Sequence, residues 1–324
     1  MPRIIQREAK IPGWSIETGG YGVDPVGTRL EVGGIVKRWR PKLEDNVESY
    51  VGLGGSPHVK SFFRKGREVE WEMAWLMKRE QVTSSLLAMT LGDAPSGGTG
   101  VITLRGNSTN NNLRSMTLED GWDSQSNDRF YQIKGAMVRE ARLTLKDHLV
   151  DVLMSGPAQD RTKSSAATGT LPTSQPSPRP FDPDADATWA FTGPAGAITG
   201  VEVAEATFDI MNELKVKSTQ MGAASRNIGE PQWVGRKVTL KLSLWRTLNT
   251  FDDLYADNDP SGSAAELDVD LTLSKNAGAE FLKVNLTDCR IVEAYTVELK
   301  DEDDLVYEEL TLEPESHAWD VLTP

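Results

Sequence analysis

Two stretches of sequence decide the fold: GREVEWEMAWL at residues 66–76 and GRKVTLKLSLW at residues 235–245. In the first stretch the apolar residues at 69, 71, 73 and 75 alternate with Glu68, Glu70 and Glu72. The second stretch has the same alternation, with Lys237 and Lys241 on its polar side. A period of two is typical of a strand that buries one face and exposes the other. The chain therefore contains one kind of strand twice, with polar faces of opposite charge.

Period-two alternation also dominates the rest of the chain, for example in ELDVDLTL (266–273), ARLTLK (141–146) and EELTLE (308–313). Two segments have helical spacing instead, 79–92 and 246–256, and each follows one of the two related strands. These patterns predict a mainly β chain with one short helix in each half.

The two halves match over a longer range at a constant offset. With a separation of 169 residues, Val47 pairs with Val216, and Gly66, Arg67 and Val69 pair with their counterparts at 235, 236 and 238. Near the ends of the halves Glu140–Ala141 match Glu293–Ala294, and residues 145–147 match 299–301 after one insertion. Matches that keep their order along the chain indicate an internal duplication.

The boundary between the halves is visible in the composition. Residues 155–190 are rich in Ser, Thr, Pro and Ala and have few large apolar side chains, which is typical of a linker. We therefore predict two similar domains of a β-sandwich or split-barrel type, at residues 1–154 and 191–324.

The bulk composition argues against several classes of protein. With 35 basic and 48 acidic residues the net charge is −13, which disfavours tight binding to phosphate backbones. The single cysteine, Cys289, rules out an internal disulfide framework. The sequence has neither a signal-peptide core near residue 1 nor a run of about 18 apolar residues, so we expect a protein made in the cytosol with no membrane contact.

No residues stand in the pattern of an active site or a metal site. The histidines His58, His148 and His317 are isolated from one another and from candidate nucleophiles. Asp182, Asp184 and Asp186 resemble the start of a calcium loop, but Ala187 occupies the position where such a loop needs glycine. We therefore expect a protein that is not an enzyme and that needs no metal or cofactor.

The stretch HVKSFFRKGR (58–67) combines Phe62 and Phe63 with basic residues at a predicted strand connection. Three interpretations remain: docking on a neighbouring subunit, ordinary loop packing, and stacking on single-stranded nucleic acid. The equivalent stretch NIGEPQWVGR (227–236) keeps an aromatic residue, Trp233, and loses most of the basic charge. Docking is favoured, with Phe62, Phe63 and Trp233 as anchors.

The order of these stretches resembles a known family. GWSIETGGYGVDPVG (13–27), the strand GREVEWEMAWLMK, the segment SLLAMTLG and the closing FYQIKGAMVREARLTLKDHLVDVLMSGPA (130–158) are similar to the tail tube proteins of long-tailed phages and archaeal viruses. The resemblance implies a small β-sandwich or split barrel with a flanking helix, whose inner sheets join into a ring-shaped β-barrel.

The resemblance also implies the partners and the location. Rings of the chain would stack into a hollow tube in the virion tail, assembled in the host cytoplasm. The tube would hold the tape-measure protein first and double-stranded DNA later, in transient and non-specific contact. Tail terminator and baseplate or distal tail proteins would cover its ends. In this family a long hairpin loop contacts the next ring, and here it corresponds to residues 50–66.

Simple geometry predicts the number of chains in a ring. A closed sheet of about 24 strands, spaced by about 4.8 Å and tilted by about 40°, has a backbone diameter of roughly 48 Å. Its bore of roughly 40 Å admits a DNA duplex. Six domains of four strands supply this number, so a chain with two domains predicts a homotrimer with a pseudo-hexameric ring.

Two roles are open for the charged strands. The Glu68, Glu70 and Glu72 face and the Lys237 and Lys241 face either pair across a contact between unlike domains or are solvated independently. An acidic lumen would let DNA slide, because each cation that pairs with a phosphate creates a trap. The lumen candidates are acidic residues on alternating strands, which would otherwise lie on the tube exterior: Glu266, Asp268, Asp270, Glu309 and Glu313.

Other functions compete with the tube. A tandem β-sandwich adhesin or carbohydrate-binding module would need an exposed aromatic platform, yet the tryptophans at 71, 75 and 245 fall on the inward faces of their strands or next to them. The inner tube of a related injection apparatus would share the fold. A hydrolase is the least supported alternative, because no acid pair or nucleophile stands out.

Overall fold

The computed structural model describes residues 8–25, 27–30, 32, 34–50, 61–78, 86–87, 89–92, 101–105, 113–123, 129–171, 180–216, 229–245, 251, 266–274, 280–293, 296–300 and 305–322, and at several strand ends only their backbone. Strands dominate these ranges, which confirms the prediction of a mainly β fold. Residues 86–87 and 89–91 are helical, inside the first predicted helix. In the second predicted helix the one described residue, Phe251, has helical backbone. A four-residue helix at Pro183–Asp186 was not predicted.

The strands of the first half are β1 (Glu8–Ile16), β2 (Gly34–Tyr50), β3 (Ser61–Met77), β4 (Val101–Arg105), β5 (Met116–Asp123), β6 (Arg129–Ala136), β7 (Glu140–Lys146), β8 (Leu149–Ala158) and β9 (Asp160–Ser164). Those of the second half are β10 (Ala187–Gly193), β11 (Gly196–Ile198), β12 (Glu202–Lys215), β13 (Gln232–Trp245), β14 (Leu267–Ser274), β15 (Glu280–Ile291), β16 (Thr296–Lys300) and β17 (Leu305–Leu322).

The first half forms two layers. One sheet has the order β1-β5-β6-β9, and the other has the order β2-β3-β8-β7. All of these neighbours are antiparallel. The layers face each other through the apolar sides of their strands, as in a β-sandwich.

The second half repeats this strand order. Its layers are β10-β14-β15-β17 and β12-β13-β17-β16, with β11 added beside β10 and β4 beside the end of β17. Strand β17 belongs to both layers because it is 18 residues long: its first part pairs with β13 and β16, and its last part with β15. In the first half the same path is divided into β8 and β9, which are separated by Gln159.

A β-bulge occurs at corresponding positions in the two halves. In the β2–β3 pair the register shifts between Val36 and Arg38, opposite Trp75 and Ala74. In the β12–β13 pair it shifts between Val203 and Glu205, opposite Leu244 and Ser243. Leu244 and Trp75 are 169 residues apart, which is the offset read from the sequence. Bulges twist and redirect a strand, so both hairpins bend at the same point.

The two halves are joined by backbone pairing between β7 and β12. Eight strands therefore form one continuous layer in the order β2-β3-β8-β7-β12-β13-β17-β16, which we call the inner sheet. The layers on its apolar side, one in each half, are called the outer sheets. Within the described residues no sheet closes on itself, because the path of paired strands runs from β11 to β2.

One hydrophobic core runs through both halves. In the first half Trp71 and Trp75 are 1% and 0% exposed and belong to the same cluster as Trp14 of the outer sheet and Leu86 of the helical segment. Burial of each large apolar side chain contributes about 1.5–3 kcal/mol, so the alternating strands hold the layers together.

The second half of the core is arranged around Phe208 of β12, whose ring stacks on Trp189 at 6.1 Å and meets Trp319 edge-on at 5.8 Å.

The predicted linker at 155–190 contains more regular structure than its composition indicates. Strand β8 continues through Ala158, β9 covers Asp160–Ser164, and β10 begins at Ala187. Polar residues form β9 because its backbone pairs with β6, and backbone pairing requires no particular side chain. Residues 172–179 lie outside the described residues.

Candidate functional site

One face of the inner sheet is open to solvent, and it carries the polar residues of all the strands that cross it. Residues directly opposite one another in neighbouring antiparallel strands share a face. One such row runs across six strands: Arg40, Glu72, Ser155, Glu140, Met211 and Lys237. We call this side of the inner sheet the open face. It is covered by no other element among the described residues.

The glutamates of β3 and the lysines of β13 share this open face. Glu72 and Lys237 lie in the row that defines it, and Lys241 lies opposite Thr311 of β17. Within the chain the two sets have other partners: Glu72 pairs with Arg38 at 2.8 Å, Glu70 with Arg139 at 3.2 Å and Lys237 with Glu313 at 3.0 Å. Contact between the Glu and Lys faces of different chains stays a prediction.

Most of the cations that the structure describes on the open face are paired with carboxylates. Besides the pairs already named, ion pairs connect Lys37 with Asp151 at 2.9 Å and Lys42 with Glu44 at 2.8 Å. Lys241 lies 3.9 Å from Glu293. Each pair places a negative charge beside a positive one, which reduces the attraction of that cation for an external anion. Among the described residues, the open face therefore offers few unpaired cations to a polyanion.

The predicted lumen residues fall into two groups. Glu309 and Glu313 alternate with the buried Leu310 and Leu312 of β17 and lie on the open face. The second group is Glu266, Asp268 and Asp270, which alternate with the apolar residues of β14 in an outer sheet. Their contacts are local to that sheet: Glu266 pairs with Arg290 at 3.2 Å, and Asp268 accepts a hydrogen bond from the Asp288 backbone N–H at 2.9 Å.

The predicted docking residues are only partly described. Phe62 and Phe63 lie in β3 opposite Ser49 and Glu48 of β2, and residues 51–60 at the end of this hairpin lie outside the described residues. Trp233 is half-buried in β13, and the guanidinium of Arg236 lies 5.8 Å from its ring centroid. A docking role for these residues stays a prediction.

The joint between the halves combines backbone pairing with side-chain contacts across the open face. Arg142 of β7 contacts Asp209 of β12 at 2.5 Å, and Lys146 contacts Glu205 at 2.6 Å. The hydrogen bond to Asp209 raises the pKa of Arg142, and the bond to Glu205 raises the pKa of Lys146. Between these pairs the hydroxyls of Thr144 and Thr207 are 3.4 Å apart.

Asn212 supports the joint from within, and the sequence analysis did not identify it. Its side chain donates to the carbonyls of Thr90 and Val138, both at 3.0 Å, and accepts from Nε of Arg236 at 2.8 Å. Its backbone N–H donates to the carbonyl of Arg139 at 2.7 Å. At 2% exposure this amide connects the helical segment, the turn before β7 and the second half. The available signal was a polar residue in the apolar phase of β12, two residues after Ile210.

The acidic run at 182–186 acts as a helix cap. Asp182 accepts a hydrogen bond from the N–H of Asp184 at 3.2 Å, and Asp186 accepts from the N–H of Asp182 at 2.9 Å. His148 approaches Asp184 at 2.9 Å, and ligand atoms of His148, Asp182 and Asp184 lie within 4.8 Å of one another. His148 and Asp184 are exposed and Asp182 is already used by the cap, so these groups do not by themselves define a metal site.

Two further observations bear on the competing functions. Trp71 and Trp75 are buried, so they supply no aromatic platform for a sugar, whereas Trp245 is half-buried. Among the described residues, no helix has both the length and the apolar character needed to cross a bilayer.

The sequence that forms this fold can be compared with known proteins. A comparison with curated proteins found no match. A comparison with family models matched the model described as phage tail tube protein over residues 14–313, which includes both halves of the chain. The match covers far more than half of the sequence, so this chain belongs to the phage tail tube protein family and is a structural component of the tail tube.

Proposed function

We propose that three copies of this chain join their inner sheets into a closed ring, and that stacked rings form the tube through which double-stranded DNA leaves the virion. The observation that carries this proposal is the inner sheet itself. It is a layer of eight strands with one face on the core and one open face. At its two ends β2 and β16 have no second neighbour among the described strands.

Duplication of one domain accounts for the internal correspondence. The two halves share the order of strands in both layers, the 169-residue offset between β3 and β13, and a bulge at equivalent positions. Domain 1 ends and domain 2 begins within the predicted linker. Each half then acts as one of six quasi-equivalent units.

Counting strands supports three chains in a ring. Each chain contributes the eight strands of the inner sheet. A barrel of about 24 strands, which is wide enough for a duplex, therefore takes three chains. The ring is closed because an unpaired sheet edge exposes backbone donors and acceptors that pair readily with another strand.

The open face becomes the lumen in this arrangement, because the opposite face is buried against the outer sheets. Glu309 and Glu313 then belong to the lumen wall, whereas Glu266, Asp268 and Asp270 lie toward the exterior. Carboxylates that pair with the lysines and arginines of the wall keep these cations from binding phosphate, so DNA slides without being trapped. The tape-measure protein occupies the lumen before DNA, and terminator and baseplate or distal tail proteins cover the ends.

Electron microscopy of the purified chain tests assembly. Hollow rings or tubes are expected, and native mass spectrometry of single rings is expected to give three chains. Rings of six whole chains would contradict the trimer while leaving the tube intact. A chain that stays monomeric at high concentration would contradict the tube.

A matched pair of variants tests the lumen assignment. Glu309→Lys changes the charge of the open face, and Asp270→Lys makes the same change on an outer sheet. Both variants are expected to form tubes, and particles built with Glu309→Lys are expected to release DNA more slowly than those with Asp270→Lys. Equal release from the two would contradict the assignment of the open face to the lumen.

A further inference from the structure

The joint inside the chain shows how the inner sheets of two halves can meet. In β7, residues 140–145 pair antiparallel with residues 206–211 of β12. This contact places the last inner-sheet strand of one half against the first inner-sheet strand of the next half. A ring of three chains, which is the proposed function, needs the same contact between β16 of one copy and β2 of the next.

The register of the chain defines which residues correspond. Leu240 of β13 and Trp71 of β3 are equivalent at the offset of 169. Phe208 of β12 lies opposite Leu240, and Pro41 of β2 lies opposite Trp71, so Phe208 and Pro41 are equivalent as well. Residues of β12 and β2 therefore correspond at an offset of 167.

Strands β16 and β7 are related in the same way. Trp245 and Leu76 are equivalent at the offset of 169. Tyr307 of β17 lies opposite Trp245, and Asp151 of β8 lies opposite Leu76, so residues of β17 and β8 correspond at an offset of 156. Lys300 pairs with Leu305, and Lys146 pairs with Leu149, so β16 and β7 correspond with an offset of 154.

We infer that β16 of one copy pairs antiparallel with β2 of the next copy in the register of the β7–β12 joint. Within the chain Thr207 lies opposite Thr144. The equivalent positions in the joint between chains are Arg40 and Glu298, which therefore lie opposite each other. The neighbouring rungs are Trp39 with Leu299, Pro41 with Val297, and Lys42 with Thr296. This inference rests on the proposed ring.

The residues of β2 suit this register. Trp39 and Pro41 are half-buried, and in the inferred register they meet the apolar residues Leu299 and Val297 of β16. Arg40 is exposed and has no ion-pair partner within the described part of the chain, so it is available to Glu298. Opposite charges directly across two strands stabilise the pairing.

Two positions limit the strength of this joint. Pro41 lacks an N–H, so its rung contributes an apolar contact and a carbonyl acceptor, which an edge strand tolerates. Arg38 faces Lys300 in this register, and its charge is already paired with Glu72 at 2.8 Å. The two joints of the ring therefore differ chemically: threonine meets threonine within the chain, and arginine meets glutamate between chains.

Disulfide trapping tests the register. Cysteines at directly opposite positions have Cα atoms about 4.5–5.5 Å apart, whereas positions displaced by two are about 7–8 Å apart, beyond the usual reach of a disulfide. The test variant is Arg40→Cys with Glu298→Cys, and the control is Lys42→Cys with Glu298→Cys. The native Cys289 is 0% exposed, and burial raises its pKa to about 12, so it does not compete.

Assembled tubes of the test variant are expected to give covalent multimers on a non-reducing gel, and tubes of the control are expected to give monomers. Tubes in which the control cross-links instead, or in which neither pair does, would overturn the register and leave the ring intact. Absence of rings in the native chain would overturn both proposals. As a second measure, Arg40→Glu is expected to reduce assembly about fivefold, because like charges then face each other across the joint. Glu298→Arg is expected to restore assembly of Arg40→Glu but not of Lys42→Glu. Failure of the first rescue would also overturn the register.

Discussion

Arg29 supplies the most severe test of how the first half is held together. Its side chain is 0% exposed and forms ion pairs of 2.8 Å with both Asp24 and Glu119. It also donates to Oγ of Ser15 at 2.5 Å and to Oγ1 of Thr168 at 3.1 Å. One guanidinium thus connects β1, β5, the loop before β2 and the segment after β9. We predict that Arg29→Met is among the most destabilising single changes in this half.

The loss in free energy of unfolding is set by the carboxylate of Glu119, which the substitution leaves unpaired. Methionine removes the cation and leaves the carboxylate of Glu119, with 1% of its side chain exposed, without an opposite charge. Breaking a buried ion pair in this way costs about 3–5 kcal/mol. Glu119 keeps two hydrogen bonds from Thr168, at 2.6 Å from the N–H and 2.9 Å from the hydroxyl, which offset part of the loss. The expected decrease in the free energy of unfolding is about 3 kcal/mol.

Urea unfolding measures this change as a lower midpoint at an unchanged slope. The exposed pair Lys37–Asp151 provides the matched control: both side chains are more than 40% exposed, and Lys37→Met is expected to cost less than about 1 kcal/mol. Adding Glu119→Gln to Arg29→Met removes the stranded charge and is expected to restore at least half of the loss. A loss in Arg29→Met no larger than in Lys37→Met, or a double variant no more stable than Arg29→Met, would refute the reasoning.

Three further predictions concern single positions in the interior or at its border. Burial, followed by the charge of Arg236, lowers the pKa of His317 to about 4, so folding favours the neutral ring; its contribution to stability is complete above about pH 6.5 and is lost as the pH falls toward 4. His317→Leu should therefore lose less free energy of unfolding between these pH values than the native chain, and an equal or larger loss would contradict this. Gly156→Ala places a methyl group 2.0 Å from the carbonyl oxygen of Met137 and is expected to cost about 1–3 kcal/mol in urea unfolding, whereas Gly193→Ala, with its nearest atom at 3.3 Å, should cost less. Cys289 is expected to resist a thiol reagent in the folded chain and to react once in urea, and rapid labelling of the native protein would show that its burial is transient.

Much of the fold was predictable because its signals are local. Alternation identified the strands around Trp71 and Leu240, and the offset of 169 agrees with the register of the two bulged hairpins. Two strands with the same pattern of buried and exposed residues can be recognised as similar from the sequence alone, without knowledge of their contacts. The family was also recognisable, since the match to the family model extends over residues 14–313.

Other features depend on contacts between distant residues, and no local pattern reports them. The composition of 155–190 indicated a linker, yet β9 within this range is held by backbone pairing with β6. The clamp of Arg29 on Glu119 spans 90 residues, and Asn212 reaches Thr90 across 122. Both β14 and β17 carry acidic residues at alternating positions, so the sequence did not distinguish Asp270 from Glu309. The structure places Asp270 in an outer sheet and Glu309 on the open face of the inner sheet.

The sequence by itself determined which residues alternate, where the two similar strands lie, that one cysteine cannot form an internal disulfide, and that no run of about 18 apolar residues is present. The tertiary structure decided which strand edges meet, above all that β7 pairs with β12 and joins both halves in one sheet. The physical reason is that burial of a side chain follows from its own chemistry and its neighbours in the chain. The partner of a sheet edge is chosen by backbone N–H and C=O groups, which are the same in nearly every residue.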